Sequence, residues 1–304
     1  MHLFDELTCI HPGIDHLQDK KWAEKKINLS ILRLDKIDPV VSGNKLFKLR
    51  YFLDEAASSS HKTIVTFGGA WSNHLAATAY ACKKDGVRSI GFVRGEQPSI
   101  WSDTLIFCRQ AGMELQFTSR DLYQNSNSES FKIMLAEKYG EHTLIPEGGF
   151  AIEGARGAEG ITDFFSSKNY THICCSIGTA TTFAGLINGS PENATVVGFS
   201  ALKNMTDIPQ RLRKLNVDVA KKYDFVGDYH FGGYAKKTNE LIAFINNFYK
   251  DNKIPFDFVY TGKMMFGVID LINKNYFGTD SNILCVHTGG LQGNQSLPRG
   301  TLNF

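Results

Sequence analysis

Short apolar runs alternate with helix-like patterns from Lys62 to the end of the chain. The runs have strand length, and the helical patterns begin near polar capping residues and end near glycines, as Ser72 to Lys84 does before Gly86. Strands that alternate with helices are typical of an α/β protein with mostly parallel sheets. We predict strands at residues 63–67, 88–93, 114–118, 172–176, 195–200 and 283–287, and helices at 72–84, 102–110, 129–139, 154–165, 182–187, 237–250 and 263–274.

Composition and charge narrow the function classes. The chain has 304 residues, 42% of them apolar, which suits one large or two medium globular domains. The formal charge is +2 and no long run of one sign occurs, so we expect neither nucleic acid nor a membrane as a partner. The first residues lack the basic and apolar regions of a signal peptide, and no apolar stretch approaches the ~18 residues of a membrane helix.

The six cysteines are scattered without C-x-x-C spacing. They indicate reduced thiols and a cytoplasmic protein. Cys174-Cys175 lies in an apolar run, so a buried strand is a better interpretation than a redox or metal site. We predict no metal site, since the histidines form no H-E-x-x-H pattern.

One lysine follows a flexible turn at the mouth of a predicted helix. Lys45 comes directly after Gly43-Asn44, and the helical pattern continues through residues 51–53. A lysine that forms and breaks an imine needs a fixed backbone and an amine whose pKa is lowered by partial desolvation. Lys45 is therefore the candidate for covalent chemistry.

A second segment joins a strand to a helix through two glycines. Ser72, Asn73 and His74 open the helix that follows Gly68-Gly69. Ser72 has the chemistry of an ordinary N-cap. The free N–H groups and the dipole of a helix N-terminus also favour an anion, and the glycines allow close approach to the backbone. Capping and binding of a substrate carboxylate both stay open here.

A third segment, Gly178-Thr179-Ala180-Thr181-Thr182, follows an apolar run and opens a helix. Its hydroxyl and backbone N–H groups suit a phosphate monoester, although an ordinary turn with a threonine cap has the same pattern. The segment is neither a P-loop nor a G-x-G-x-x-G fingerprint, so a dinucleotide oxidoreductase is a remote alternative.

Two segments near the end of the chain add hydroxyl groups. Tyr260 closes an extended run that begins at Phe258, either as a core residue or as an acid–base group. Thr288 and two glycines close the last predicted strand, and His287 beside them is expected to be structural. Together the segments provide an imine partner, a carboxylate site, a phosphate site and a hydroxyl-rich wall. Pyridoxal 5′-phosphate (PLP) and a small amino-acid substrate require this set.

The order and spacing of the segments resemble the 1-aminocyclopropane-1-carboxylate deaminase / D-cysteine desulfhydrase family of tryptophan-synthase-β-like PLP enzymes. The resemblance runs from about residue 32 to residue 290 and is most specific at Gly43-Asn44-Lys45 with Ser72-Asn73. It implies two three-layer α/β domains with mostly parallel sheets and the cofactor between them. The smaller domain is expected at residues 46–145 and the larger at 1–45 with 146–304, in a homodimer.

The resemblance also implies roles by position. Lys48 is expected to face elsewhere on the helix than Lys45. The implied catalytic residues are Lys45, Ser72 and Tyr260; the cofactor contacts are Lys45, Asn73, Gly178, Thr179, Ala180, Thr181, Thr182 and Thr288; the substrate contacts are Ser72, Asn73, His74, Tyr234 and Tyr260.

Two departures from the deaminase pattern favour one activity. Thr261 and Thr288 stand where cyclopropane deaminases tend to carry Glu and Leu. A neutral hydroxyl beside the cofactor suits β-elimination, whereas ring opening calls for a stronger electron sink. We therefore predict a D-cysteine desulfhydrase-type lyase that forms a keto acid, ammonia and sulfide. A cyclopropane deaminase or a D-serine-type dehydratase is the alternative, and a non-catalytic PLP-binding protein is a remote one.

Overall fold

The computed structural model describes residues 10–38, 41, 43–126, 128–218 and 220–304; Cys9 and Ser42 lie outside these ranges. Ten strands occur within them, and the predicted strands are confirmed to within about a residue. The strands are β1 (Ile14–Leu17), β2 (Asn28–Arg33), β3 (Thr63–Gly68), β4 (Arg88–Arg94), β5 (Glu114–Thr118), β6 (Thr143–Ile145), β7 (His172–Ile177), β8 (Thr195–Ser200), β9 (Tyr223–Val226) and β10 (Asn282–His287). The sequence patterns did not predict β1, β2, β6 and β9.

Eleven α-helices connect the described strands. Short 3-10 helices lie at Leu34–Lys36, Glu147–Gly149, Gly160–Phe164 and Leu291–Ser296. The α-helices are α1 (Lys20–Glu24), α2 (Asn44–Ser58), α3 (Asn73–Asp85), α4 (Asp103–Gln110), α5 (Arg120–Gln124), α6 (Glu129–Tyr139), α7 (Ile152–Glu159), α8 (Thr181–Gly189), α9 (Ile208–Lys214), α10 (Asn239–Asn252) and α11 (Thr261–Asn273).

The strands form two sheets. One has the order β5-β4-β3-β6 and is parallel throughout. The other has the order β1-β2-β10-β7-β8-β9 and is parallel except for the antiparallel pair β1–β2. The α/β prediction with mostly parallel sheets is confirmed. The strands of the smaller sheet all fall within residues 63–145, while the proposed domain boundaries themselves stay a prediction.

Apolar side chains cover both faces of each sheet, which gives three layers in each. In the larger sheet, Cys175 packs with the cluster under α2, α7 and α8, and its neighbour Cys174 packs on the opposite face with α10 and α11. The prediction that this pair lies in a buried strand is confirmed. The smaller sheet has one cluster around Phe67 and Phe92 and another around Leu75.

Helix α2 carries Lys45 and packs against elements of both sheets. Its apolar residues belong to a cluster that also contains Ile64 of β3 and Ile173 of β7. Contact with α7 is close, because a Cβ at Gly157 would lie 2.0 Å from the carbonyl oxygen of Phe47. The backbone around Lys45 is therefore held firmly between the two sheets.

Two predicted elements differ from the structure. The run from Phe258 to Tyr260 is a turn rather than a strand, because the Asp257 carboxylate accepts the N–H groups of Val259 and Tyr260. The helix expected at 154–165 is the shorter α7, continued as a 3-10 helix. In the part of the chain that the structure describes, no helix is long and apolar enough to cross a membrane.

Candidate active site

The turn before α2 presents Lys45 to a pocket between the two sheets. Gly43 adopts φ +84°, and Asn44 begins the helix. The Lys45 Nζ donates a hydrogen bond to Asn44 Oδ1 at 2.8 Å, and Asn44 Nδ2 donates to Thr182 Oγ1 at 2.6 Å. Burial lowers the pKa of Lys45 to about 8, against the opposing charge of Asp257. A lysine with this pKa loses its proton far more readily near neutral pH than an ordinary lysine does, as a nucleophile requires.

Lys48 lines the same pocket, so the expectation that it faces elsewhere was wrong. Residues three apart in a helix share a face, which brings the two lysines together. Burial and then the charge of Lys45 lower the pKa of Lys48 well below its ordinary value. A buried amine of this kind regains its charge when an anion binds beside it.

The segment from Gly178 to Thr182 wraps the N-terminus of α8 around the pocket. Ala180 precedes the helix with φ +73°, a left-handed conformation that costs a non-glycine residue about 1–2 kcal/mol. The hydroxyls of Thr179 and Thr181 are 2.9 Å apart. This arrangement of N–H and hydroxyl groups is suited to an anion such as a phosphate.

Ser72 and Asn73 lie at the start of α3. Ser72 is the N-cap, and its Oγ accepts the Leu75 N–H at 3.2 Å. Asn73 lines the pocket and donates from Nδ2 to the Gly290 carbonyl at 3.1 Å. Its Oδ1 is buried and has no hydrogen-bond partner within the described residues. Such an oxygen is ready to accept a hydrogen bond from a bound molecule.

His74 does not reach the pocket, in contrast to its predicted role as a substrate contact. Its side chain is buried and its Nε2 lies 2.8 Å from Thr66 Oγ1. Because that hydroxyl donates to the Ile145 carbonyl, it accepts from His74, which fixes the Nε2–H tautomer. Burial and then the charges of Lys48 and Lys45 lower the pKa of His74 well below its ordinary value. His74 is therefore a neutral ring packed against β3 of the smaller sheet.

Thr288 and Ser176 form a rear wall of the pocket, with their hydroxyl oxygens 3.5 Å apart. His287 supports this wall. Its Nδ1 accepts the Gly289 N–H, its Nε2 donates to the Pro255 carbonyl, and its ring stacks on Phe256. His287 is structural, as predicted. The described residues that line the pocket include no carboxylate.

Tyr260 forms a side wall over Gly178, where a Cβ would lie 3.0 Å from its Cε1. Burial raises the pKa of Tyr260 well above its ordinary value, so the phenol stays a hydrogen-bond donor. The buried Asp257 carboxylate holds the Tyr260 N–H at 2.7 Å. Thr261 does not line the pocket, since its hydroxyl and N–H both bond to Asp257. Thr261 supports Tyr260 and does not itself face a ligand.

Tyr234 lies next to Tyr260, with ring centroids 6.0 Å apart, and is 47% exposed. Two charged groups, Glu147 and Arg94, interact electrostatically with Tyr234 from the side of the smaller sheet. The Arg94 guanidinium lies over Tyr123, 5.6 Å from the ring centre, and 3.7 Å from a Cβ placed on Gly69. Arg94 thus adds positive charge next to the glycine pair that leads to Ser72 and Asn73.

Comparison with known proteins gives the same picture. Residues 23–289 match the family described as pyridoxal-phosphate dependent enzyme. This chain belongs to that family.

Its relatives include proteins of the deaminase and desulfhydrase type. The chain is 30% identical to a Thermotoga maritima protein named "Putative 1-aminocyclopropane-1-carboxylate deaminase", over 90% of this chain and 92% of the other. It is 30% identical to the bifunctional D-cysteine desulfhydrase/1-aminocyclopropane-1-carboxylate deaminase of Arabidopsis thaliana, over 83% and 70%. The crystal structure of a homologue of 1-aminocyclopropane-1-carboxylate deaminase superposes with a TM-score of 0.80 and 26% identity, over 97% of both chains. The chain is a PLP-dependent lyase or deaminase with a tryptophan-synthase-β-like fold.

The pocket residues of this PLP-dependent enzyme fit the cofactor. Lys45 would supply the amine for the covalent bond, and the N-terminus of α8 with Lys48 would supply groups for a phosphate. The free Oδ1 of Asn73 is available to a donor on the ligand. The backbone lies close to the cavity at three glycines, Gly178, Gly289 and Gly290. At Gly290 a Cβ would lie 2.7 Å from Asn73 Nδ2.

Sequence reasoning missed several residues that line this PLP pocket or face it. Asn44, Lys48, Gly148 and Ser176 line it. The asparagine was visible as part of the turn before Lys45, and the i, i+3 spacing could have revealed Lys48. No sequence pattern pointed to Arg94, because its position near the pocket depends on how the two sheets pack together.

Proposed function

We propose that the protein is a D-cysteine desulfhydrase-type lyase that converts a small D-amino acid into a keto acid and ammonia, with sulfide released from D-cysteine. The observation that carries this proposal is the rear wall of Thr288 and Ser176, a neutral hydroxyl pair in a pocket whose described lining holds no carboxylate. A neutral partner leaves the bound ring less electron-withdrawing, which suits a reaction in which the β-substituent departs easily. Ring opening of a cyclopropane needs a more strongly electron-withdrawing cofactor ring.

PLP when bound supplies an electron sink for the bond electrons at the substrate α-carbon. The chain's own groups then have separate tasks. Lys45, with its pKa of about 8, is placed to take the α-proton, and Ser72 is the other candidate for that step. The neutral phenol of Tyr260 is placed to donate a hydrogen bond or a proton to the departing group.

The substrate carboxylate has a site at the start of α3. The helix N-terminus provides N–H groups, and Asn73 stands at its first position. Arg94 over Gly69 increases the positive potential at the same place. Tyr234 and Tyr260 close the opposite side, so that the substrate side chain lies between two phenols.

A substrate panel tests the proposal. The PLP-loaded protein is mixed with D-cysteine, L-cysteine, D-serine or 1-aminocyclopropane-1-carboxylate, and keto acid, sulfide and the cofactor absorbance are followed. We expect pyruvate and sulfide from D-cysteine, and Lys45→Ala should abolish turnover while Lys83→Ala on the exposed end of α3 retains it. Formation of 2-oxobutanoate from the cyclopropane amino acid, with no product from D-cysteine, would identify a deaminase instead. The homodimer and the cytoplasmic location stay predictions.

A further inference from the structure

Lys263 is a buried lysine that bonds to the backbone of another segment. It is the third residue of α11, and its side chain is only 1% exposed. The Nζ donates to the carbonyl oxygens of His230 at 2.9 Å and Gly233 at 2.7 Å. Both acceptors lie 30 or more residues away in the sequence. Lys263 therefore fastens the loop after β9 to the first turn of α11.

The loop has an unusual backbone that needs such an attachment. Phe231, Gly232 and Gly233 all have positive φ, at 50°, 93° and 112°. The resulting turn points two carbonyls at one ammonium group. Each carbonyl also accepts a backbone N–H, from Gly233 at 3.0 Å and Lys236 at 3.1 Å. Loss of the lysine would thus release the loop without leaving either oxygen wholly unpaired.

Both ends of this connection lead to the site. Tyr234 follows Gly233 directly, and Tyr260 immediately precedes α11. The two rings are 6.0 Å apart, with an interplanar angle of 63°. One helix therefore carries Tyr260 at its start and, through Lys263, holds the segment that carries Tyr234.

We propose that Lys263 is a positioning residue that fixes Tyr234 beside Tyr260 and thereby sets how the substrate side chain is held. The role given to the two tyrosines rests on the proposed function. The attachment of the loop by Lys263 rests only on the hydrogen bonds described above. Tyr234 needs this support because it is half exposed at the rim of the cleft and makes its ring contact with Tyr260 alone among the described aromatic residues.

The charge state of Lys263 strengthens the connection. Burial lowers its pKa to about 8, while the nearby Asp257 carboxylate acts in the opposite direction. The other titratable side chains of the loop at residues 227–238 are Asp228, Tyr229, His230, Tyr234, Lys236 and Lys237. Tyr260 lies at the start of α11, and Glu147 and Arg94 interact electrostatically with Tyr234 from the other side. The charged amine is the stronger hydrogen-bond donor, so the loop is held more firmly below pH 8 than above it.

Lys263→Met tests the proposal with a matched control. Replacing a buried ion by an apolar side chain of similar volume often preserves stability, so the variant should fold. Lys25→Met is the control, because the Lys25 Nζ donates to the Ile272 carbonyl at the far end of the same helix, at 2.9 Å. Hydrogen exchange at residues 227–238 is measured in the loaded protein at pH 7. We expect exchange at least about tenfold faster in Lys263→Met, because both Nζ hydrogen bonds to the loop are lost. Lys25→Met should show no change.

Kinetics supply the second readout. With the substrate found in the panel, Lys263→Met should raise KM more than it lowers kcat, and so should Tyr234→Phe. If the lysine acts through the tyrosine, the double variant should be no worse than the poorer single variant. Unchanged exchange at 227–238, or a double variant whose loss equals the product of the single losses, overturns the proposal. The exchange result needs no turnover, so failure of the proposed lyase activity is distinguished from failure of this inference.

Discussion

Gly43 packs so closely against Thr288 that a Cβ at position 43 would lie 1.9 Å from the Thr288 carbonyl oxygen. Asn44 donates its N–H to the same oxygen at 3.1 Å. The backbone of Gly43, with φ +84° and ψ −155°, is itself open only to glycine at low cost. The turn that presents Lys45 and the rear wall of the pocket therefore fit together only with glycine at this position.

Replacing Gly43 with alanine should reduce the free energy of unfolding by about 3 kcal/mol, because backbone strain and a steric clash add. Gly86→Ala is the control. Gly86 also has positive φ, at 67°, but a Cβ there meets nothing within 4 Å. It should lose only about 1 kcal/mol, from strain alone. Urea unfolding of both variants decides the matter, and equal losses would show that the contact with Thr288 contributes nothing.

The buried lysines make the stability of the cofactor-free protein depend on pH. Lys45 and Lys263 both have a pKa of about 8 in the folded protein, lowered first by burial. Between pH 8 and the ordinary lysine pKa, the unfolded chain binds protons that the folded protein has released. These amines therefore make a contribution to the free energy of unfolding that rises with pH in this window.

Buried thiols whose pKa is raised by burial, such as those of Cys82 and Cys175, act in the opposite direction in the same window, so the test compares variants. From pH 8 to pH 9.5, urea unfolding should show that the natural protein gains stability relative to Lys263→Met, because the variant lacks one of the buried amines. The free-energy difference between the natural protein and the surface variant Lys83→Met should stay constant over the same range. A difference between the natural protein and Lys263→Met that does not change with pH would contradict a lowered pKa at Lys263.

Ala180 holds a left-handed conformation in the turn before α8, with φ +73°. Glycine would remove a cost of about 1–2 kcal/mol in the folded state and add about 0.5–1 kcal/mol of entropy loss on folding. Ala180→Gly should therefore be as stable as the natural protein or up to about 1 kcal/mol more stable. Ala184→Gly, inside the same helix, should be about 1 kcal/mol less stable. Thermal or urea unfolding tests this, and equal destabilisation by both variants would mean that Ala180 carries no strain.

The sequence predicts a site residue well when the pattern that identifies it lies in neighbouring residues of the chain. The Gly-Asn turn and its lysine are adjacent in the chain, and so the place of Lys45 in the pocket could be predicted, while its covalent role stays a prediction. Lys48 was placed wrongly although its spacing from Lys45 already puts both on one face of α2. His74 was also placed wrongly, because the direction of a side chain in the first turn depends on what the helix packs against, here Thr66 of β3.

The same distinction holds for the fold. Long apolar runs such as β3 and β7 are buried on both sides and give a clear pattern. The turn at Phe258 to Tyr260 looks extended in sequence, because apolar and aromatic residues occupy it. Its conformation is set by one carboxylate, that of Asp257, which no periodicity can reveal. Arg94 ends a strand of the smaller sheet, and Tyr234 lies in the loop that follows β9 of the larger sheet. The two side chains approach each other only after both sheets have formed.

Arg94 should affect substrate binding and not the fold. Its guanidinium is exposed in the cleft beside Gly69, where it favours a carboxylate through charge. We expect Arg94→Met to raise KM about tenfold, roughly the value of one charge-assisted contact, with a smaller change in kcat. Arg88→Met at the other end of β4, where the side chain pairs with Glu114 at 2.9 Å, should leave KM unchanged. Steady-state kinetics at low and high salt test this, because salt should weaken a contact that acts through charge. A tenfold loss confined to kcat would show that Arg94 does not bind the substrate.

Thr288 offers the sharpest test of the chemistry, because a small change there removes one hydroxyl and little else. Thr288→Val keeps the shape of the side chain, and the weak contact at 3.5 Å with Ser176 is the bond it gives up. If the Thr288 hydroxyl is the neutral partner of the pyridine ring of bound PLP, the absorbance of PLP bound to Thr288→Val should differ from that in the natural protein. The kcat for β-elimination should fall about tenfold, which corresponds to the loss of one hydrogen bond. Thr288→Ser restores the hydroxyl and should recover most of the rate, whereas a valine variant with the natural spectrum and kcat would mean that the rear wall does not tune the reaction.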